Sequence, residues 1–113
     1  MSIYIGNAFS LQMVDLKAHN FIETAPFTVE KVKQYFDDGL EILSCIGHQD
    51  LANVVGDILK EDIKSNRINI KLLPGDILIV AQLTGGRLPE GATTLPDGFK
   101  IEFVGVRVIS KKL

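Results

Sequence analysis

At 113 residues the chain fits one domain, 1–113, and buries roughly two-thirds of its unfolded surface, so it needs no metal or disulfide staple to fold. Apolar residues make up 46% and charged residues 23%, a balance that excludes intrinsic disorder. Twelve Lys and Arg against 14 Asp and Glu leave a formal net charge of −2, which argues against a duplex-DNA or membrane-surface binder, since either would carry a basic excess.

Ile3 to Gly6 reads as a short β-branched and aromatic strand. Asn7-Ala8-Phe9-Ser10 breaks it with two cap-type residues. Phe21 to Phe27 is a second extended piece that ends near Pro26. Thr28 can cap a helix through about Asp38, with Val29, Val32 and Phe36 on one face and Asp37-Asp38-Gly39 as the stop. Leu40 to Ile46 is a continuous apolar run of strand length, which predicts a central strand. Gly47-His48 follows at once. A second helix then runs to about Lys60, its Leu51, Val54, Val55, Ile58 and Leu59 spaced as one amphipathic face.

Arg67 to Leu72 alternates as a strand, Pro74-Gly75-Asp76 is a tight turn, and Ile77 to Leu83 is a returning strand. The expected arrangement of this pair is an antiparallel hairpin. Lys100 to Ile109 is the last strand, and Lys111-Lys112 reads as a solvated tail. The 14 residues from Gly85 to Gly98 hold four of the ten glycines and two of the four prolines; loops of this length are commonly lids or binding loops. The predicted fold is α/β: a single small domain with one mixed sheet of about five to six strands and two main helices.

The single cysteine, Cys45, excludes an intramolecular disulfide and reads as a buried small hydrophobe. Two histidines, His19 and His48, with one cysteine do not make a zinc site of the usual kind, so no metal is expected. No apolar run approaches the ~20 residues that span a bilayer. Met1-Ser2-Ile3-Tyr4-Ile5 lacks the basic start of a signal peptide, so a reducing, cytoplasmic home is the expectation. There is no P-loop, dinucleotide glycine fingerprint, serine-hydrolase elbow or HExxH motif, and no cofactor is expected.

His48 stands at a strand-to-helix junction, where free backbone N–H groups and the positive end of a helix dipole make a natural anion site. Gly47 would let a bulky anion approach the backbone, and a protonated imidazole there can serve as a general acid. The plainer alternative is a helix-start histidine that bonds nearby backbone. Arginine suits bidentate phosphate recognition, and the chain has three: Arg67, Arg87 and Arg107. Arg87 is the most suggestive, because a Gly/Pro-rich loop is an awkward place for an arginine without a ligand; a surface ion pair is the ordinary reading of any one of them. Glu90 can pair with Arg87 or act as a base. Asn7 and Ser10 can bond a phosphate or sugar, or simply cap a helix.

In combination these residues are more specific. Gly6-Asn7-Ala8-Phe9-Ser10, Ile46-Gly47-His48, Asn66-Arg67 and Arg87-Leu88-Pro89-Glu90-Gly91 occur in that order, and the chain resembles along its whole length the viral anti-CRISPR ring nucleases that counter type III systems. Gly85-Gly86 and Pro89 depart from the family's loop motif. The resemblance implies a homodimer that binds cyclic tetra-adenylate (cA4) in a pocket across the dimer interface. It implies metal-independent cleavage of the ring to linear di-adenylates with 2′,3′-cyclic phosphate ends. It carries the catalytic histidine to His48, ligand-contacting arginines to Arg67 and Arg87, the loop glutamate to Glu90, and N-terminal polar contacts to Asn7 and Ser10. In that chemistry a ribose 2′-OH attacks its own phosphate and the 5′-oxygen leaves, so the protein must orient, neutralise and protonate. Two alternatives stand beside it: a binder that sequesters a cyclic nucleotide without turnover, and a structural or regulatory dimer of a mobile element.

Overall fold

The computed structural model describes residues 1–111; Lys112, half of the expected solvated tail, lies outside them. In chain order the elements are β1 (Ile3–Gly6), a 3-10 turn (Leu11–Met13), β2 (His19–Phe27), α1 (Val29–Asp37), β3 (Ile42–Ser44), α2 (Gln49–Leu59), β4 (Ile77–Thr84) and β5 (Lys100–Lys111). The strands form one five-stranded mixed sheet in the order β2-β5-β4-β1-β3. β1 pairs in parallel with both β3 and β4, whereas β5 pairs antiparallel with β4 and β2. The α/β class, the mixed sheet and the two helices match the sequence expectation.

Each helix begins where its sequence signals it. The Thr28 hydroxyl accepts the Lys31 N–H at 3.0 Å and heads α1. His48 heads α2 in an extended backbone conformation, but its side chain makes no capping hydrogen bond. The apolar faces of both helices pack on one side of the sheet, where Val32, Ala52, Val55 and Leu59 meet Ile3, Ile5, Ile79 and Phe103. Burying one such aliphatic side chain is worth roughly 1.5–3 kcal/mol. Neither α1 nor α2 covers the opposite face. There Leu78, Val80, Val106 and Val108 are roofed in part by Val14, Ile70 and Leu72 from irregular segments.

Two expectations need correction. Residues 67–72 form no strand, and there is no hairpin with β4, whose partners are β1 and β5. The alternation reports packing in its second half only: Ile70 and Leu72 are buried and Lys71 is exposed, but Ile68 is exposed as well. The segment's polar backbone is spent elsewhere, as Leu72 N–H donates to the Met13 carbonyl at 2.7 Å. The second correction concerns Leu40 to Ile46. Only Ile42–Ser44 is strand, and it lies at the sheet edge rather than the centre. Residue 66 lies along its outer side: the Asn66 N–H donates to the Ile46 carbonyl at 2.7 Å, and its Nδ2 donates to the Ser44 carbonyl at 3.0 Å. An edge protected by such a neighbour can keep an apolar sequence.

Candidate functional site

The carboxyl ends of three parallel-paired strands meet at one edge of the sheet, and every connection that leaves this edge carries a residue singled out by sequence. Asn7 follows β1, Gly47-His48 follows β3, and Gly85-Gly86-Arg87 follows β4. Ligands of open α/β sheets characteristically bind at this edge. The β3-α2-β4 connection passes across β1, so α2 presents its N-terminus here.

His48 and Arg87 line one cavity of about 210 Å³ together with Asp50, Leu51, Leu83 and Leu88. Both side chains are exposed, and among the described residues Arg87 has no hydrogen-bond or ion-pair partner. Gly85 (φ 110°) and Gly86 (φ 129°) turn the chain at the end of β4, in a region that other residues avoid. A Cβ on Gly85 would lie 2.7 Å from the Gly98 carbonyl oxygen, so the loop is pinched shut at its base. The two glycines that depart from the resembled motif therefore have a local structural reason.

Leu51 and Leu83 also line a neighbouring groove of about 640 Å³, whose floor is the less covered sheet face at Val80, Val104 and Val106. Asn7 and Phe9 stand at its rim. The Asn7 side chain reaches across to the histidine junction, where its Oδ1 accepts the Gly47 N–H at 3.2 Å. Arg67 reaches the same residue from the other side, its Nε–H donating to the Gly47 carbonyl at 2.9 Å. Asn7, Gly47, His48, Arg67 and Arg87 are thus brought to one neighbourhood.

Ser10 and Glu90 stand apart from it. The Ser10 hydroxyl accepts the Gln12 N–H at 3.3 Å and caps the 3-10 turn, beside a separate cavity lined by Ile68, Asn69 and Lys71. Glu90 is exposed in a turn closed by Ala92 N–H on the Pro89 carbonyl at 3.1 Å, and it does not line the His48 cavity. Arg107, the third arginine, pairs with Glu23 at 2.8 Å across β5 and β2, so it is a surface ion pair. Burial pushes the half-buried Cys45 thiol up from its ordinary value, which disfavours the thiolate a nucleophile needs. Sequence reasoning missed Asp50, although its place two residues after the histidine, in the first turn of a helix, was a usable signal. Among the described residues no three His, Cys, Asp or Glu side chains gather as metal ligands do, and no helix is long and apolar enough to cross a membrane.

Fold and site together define a small α/β protein that gathers a histidine and two arginines at the carboxyl ends of its parallel strands. A family model described as STIV B116-like matches residues 3–102, and the chain belongs to that family. Among solved structures it is similar to B116 of Sulfolobus turreted icosahedral virus (STIV), with 25% identity, a TM-score of 0.73, and coverage of 95% of this chain and 99% of that one. No curated protein matches the chain.

Proposed function

We propose that the protein is a metal-independent ring nuclease that binds cA4 and cuts it to linear di-adenylates, switching off type III CRISPR signalling. The observation that carries this reading is the shared cavity of His48 and Arg87 at the N-terminus of α2. Sequence resemblance and membership of a family named for a viral protein support it.

The residues present suit the chemistry. At each cut the 2′-oxygen forms a bond to phosphorus as the bond to the 5′-oxygen breaks. His48 gives a proton to the departing 5′-oxygen, and Arg87 and the head of α2 face the charge that builds on phosphorus. The proton of the 2′-OH passes to a carboxylate: Asp50 lines the cavity, and Glu90 reaches it only if the loop moves. A two-fold homodimer would offer two such sites to opposite phosphates of the ring.

The test is single-turnover incubation of cA4 with the protein in excess EDTA, followed by identification of products. Linear di-adenylates from the wild type, with cleavage slowed at least about 10²-fold in His48→Ala at unchanged binding, is the expected result. Binding without products would favour the sequestering reading. Neither binding nor products would leave the structural or regulatory dimer.

A further inference from the structure

We propose that Asn7 and Arg67 are positioning residues: together they clamp Gly47 and thereby fix the direction in which His48 enters the cavity it shares with Arg87. The inference rests on the ring-cleavage reading for its consequence, but not for its geometry. The N–H of Gly47 belongs to the peptide plane before its Cα, and its carbonyl belongs to the plane after. Asn7 Oδ1 holds the first at 3.2 Å and Arg67 Nε–H holds the second at 2.9 Å. The first plane is held at its other end too, because the Ile46 carbonyl accepts the Asn66 N–H at 2.7 Å. With both planes fixed, φ and ψ of Gly47 are fixed.

Glycine is the residue with the most backbone freedom to lose, so these bonds have the most to restrain here. A Cβ on Gly47 would meet only the Arg67 Cγ, at 3.9 Å, so packing does not confine the residue. The imidazole of His48 makes no capping bond that would steady it. The donors and acceptor come from the loop after β1 and the segment after α2, so the head of α2 is tied to two parts of the chain remote in sequence. The bonds use one amide oxygen of Asn7 and one nitrogen of Arg67. The terminal guanidinium nitrogens of Arg67 make no bond to the described residues and stay available to a phosphate. Arg67 thus holds the histidine's backbone with one nitrogen and offers the ligand the others.

Asn7→Ala and Asn7→Asp separate this role from simple ligand contact. Aspartate keeps the oxygen that accepts the Gly47 N–H, but it loses the amide donor and brings a negative charge toward a polyanionic ring. The measurements are hydrogen exchange of the Gly47 amide by NMR, the single-turnover cleavage rate at saturating protein, and the Kd for cA4, with the melting temperature as a check on folding. The expected pattern is a protected Gly47 amide in the wild type and in Asn7→Asp, and a fast one in Asn7→Ala. The saturated rate should fall in Asn7→Ala by about tenfold to 10²-fold, the scale of a misplaced catalytic group. It should recover toward wild type in Asn7→Asp although that variant binds the ring more weakly. A Gly47 amide that exchanges as freely as those of the exposed loop in the wild type overturns the clamp. So does an Asn7→Ala variant with a normal saturated rate and only weaker binding. If the wild type cleaves no ring while the exchange pattern holds, the clamp stands and the ring-cleavage reading falls.

Discussion

The two ends of the same parallel strands treat polar residues in opposite ways. At the amino end, Asp76 is 5% exposed and both its carboxylate oxygens are engaged, one by the Ser2 N–H and the other by the Leu73 N–H, each at 2.9 Å. It ties the start of β1 to the turn before β4, where the Ile77 N–H also donates to the Ser2 carbonyl at 3.0 Å. At the carboxyl end, His48 and Arg87 are exposed, face a common cavity and hold hydrogen-bonding capacity in reserve. The contrast teaches that a polar group's role in this fold follows from how much of that capacity the fold itself consumes. Asp76 is spent on structure; the polar groups of His48 and Arg87 are left unspent.

Substitutions at the two ends sharpen the contrast, taken here from the largest effect to the smallest. Under the proposed ring cleavage, His48→Ala should lower the cleavage rate by about 10²–10⁴-fold, the range of general acid catalysis, with little change in melting temperature. Equal loss of rate and of melting temperature would erase the distinction between the ends. Asp76→Ala does the reverse: it removes two charge-assisted bonds in a buried site and destabilises the fold by about 2–4 kcal/mol. Thermal unfolding reads that cost, while the proposed cleavage by the folded fraction should stay near the wild-type rate.

Two smaller effects involve neither the His48 cavity nor the Asp76 carboxylate. Cys45 should alkylate more slowly than an unstructured cysteine at neutral pH, because burial raises its pKa and keeps it protonated. The sign for stability follows: the fold's preference for the neutral thiol is fully present below the open-chain pKa and is lost as pH rises through the higher folded value. Rapid, complete alkylation of the native protein would show an accessible thiolate instead. Smallest of all, Arg107→Gln removes an exposed ion pair with Glu23 and leaves the melting temperature close to wild type; a drop as large as that of Asp76→Ala would reveal a structural role for the pair.

Much of this molecule was legible in its sequence. Thr28 and the spacing of Val29, Val32 and Phe36 marked α1, and the spacing of Leu51, Val54, Val55, Ile58 and Leu59 marked α2, because helix caps and a 3.6-residue period are local properties. The placement of His48 at the head of α2 was local too. Strand pairing was not. The alternation at 67–72 is shared by a paired strand and by an irregular segment that roofs a sheet, and only the distant partner decides between them. The apolar run at Leu40 to Ile46 suggested a central strand, because the sequence does not display the Asn66 bonds that protect its edge.

By itself, then, the sequence determined the helices, the turn at Pro74-Gly75-Asp76, the glycine-rich loop and the residue types able to handle a phosphate. The tertiary structure alone decided the strand order and which of those residues meet. It joined Asn7, Gly47 and Arg67, and it set His48 beside Arg87. It left Ser10 on its own 3-10 turn, Glu90 on the loop and Arg107 in an ion pair. The physical reason is range: caps, turns and periodicity act within a few residues, whereas a site built from residues 7, 47, 67 and 87 exists only once the sheet has gathered its strands.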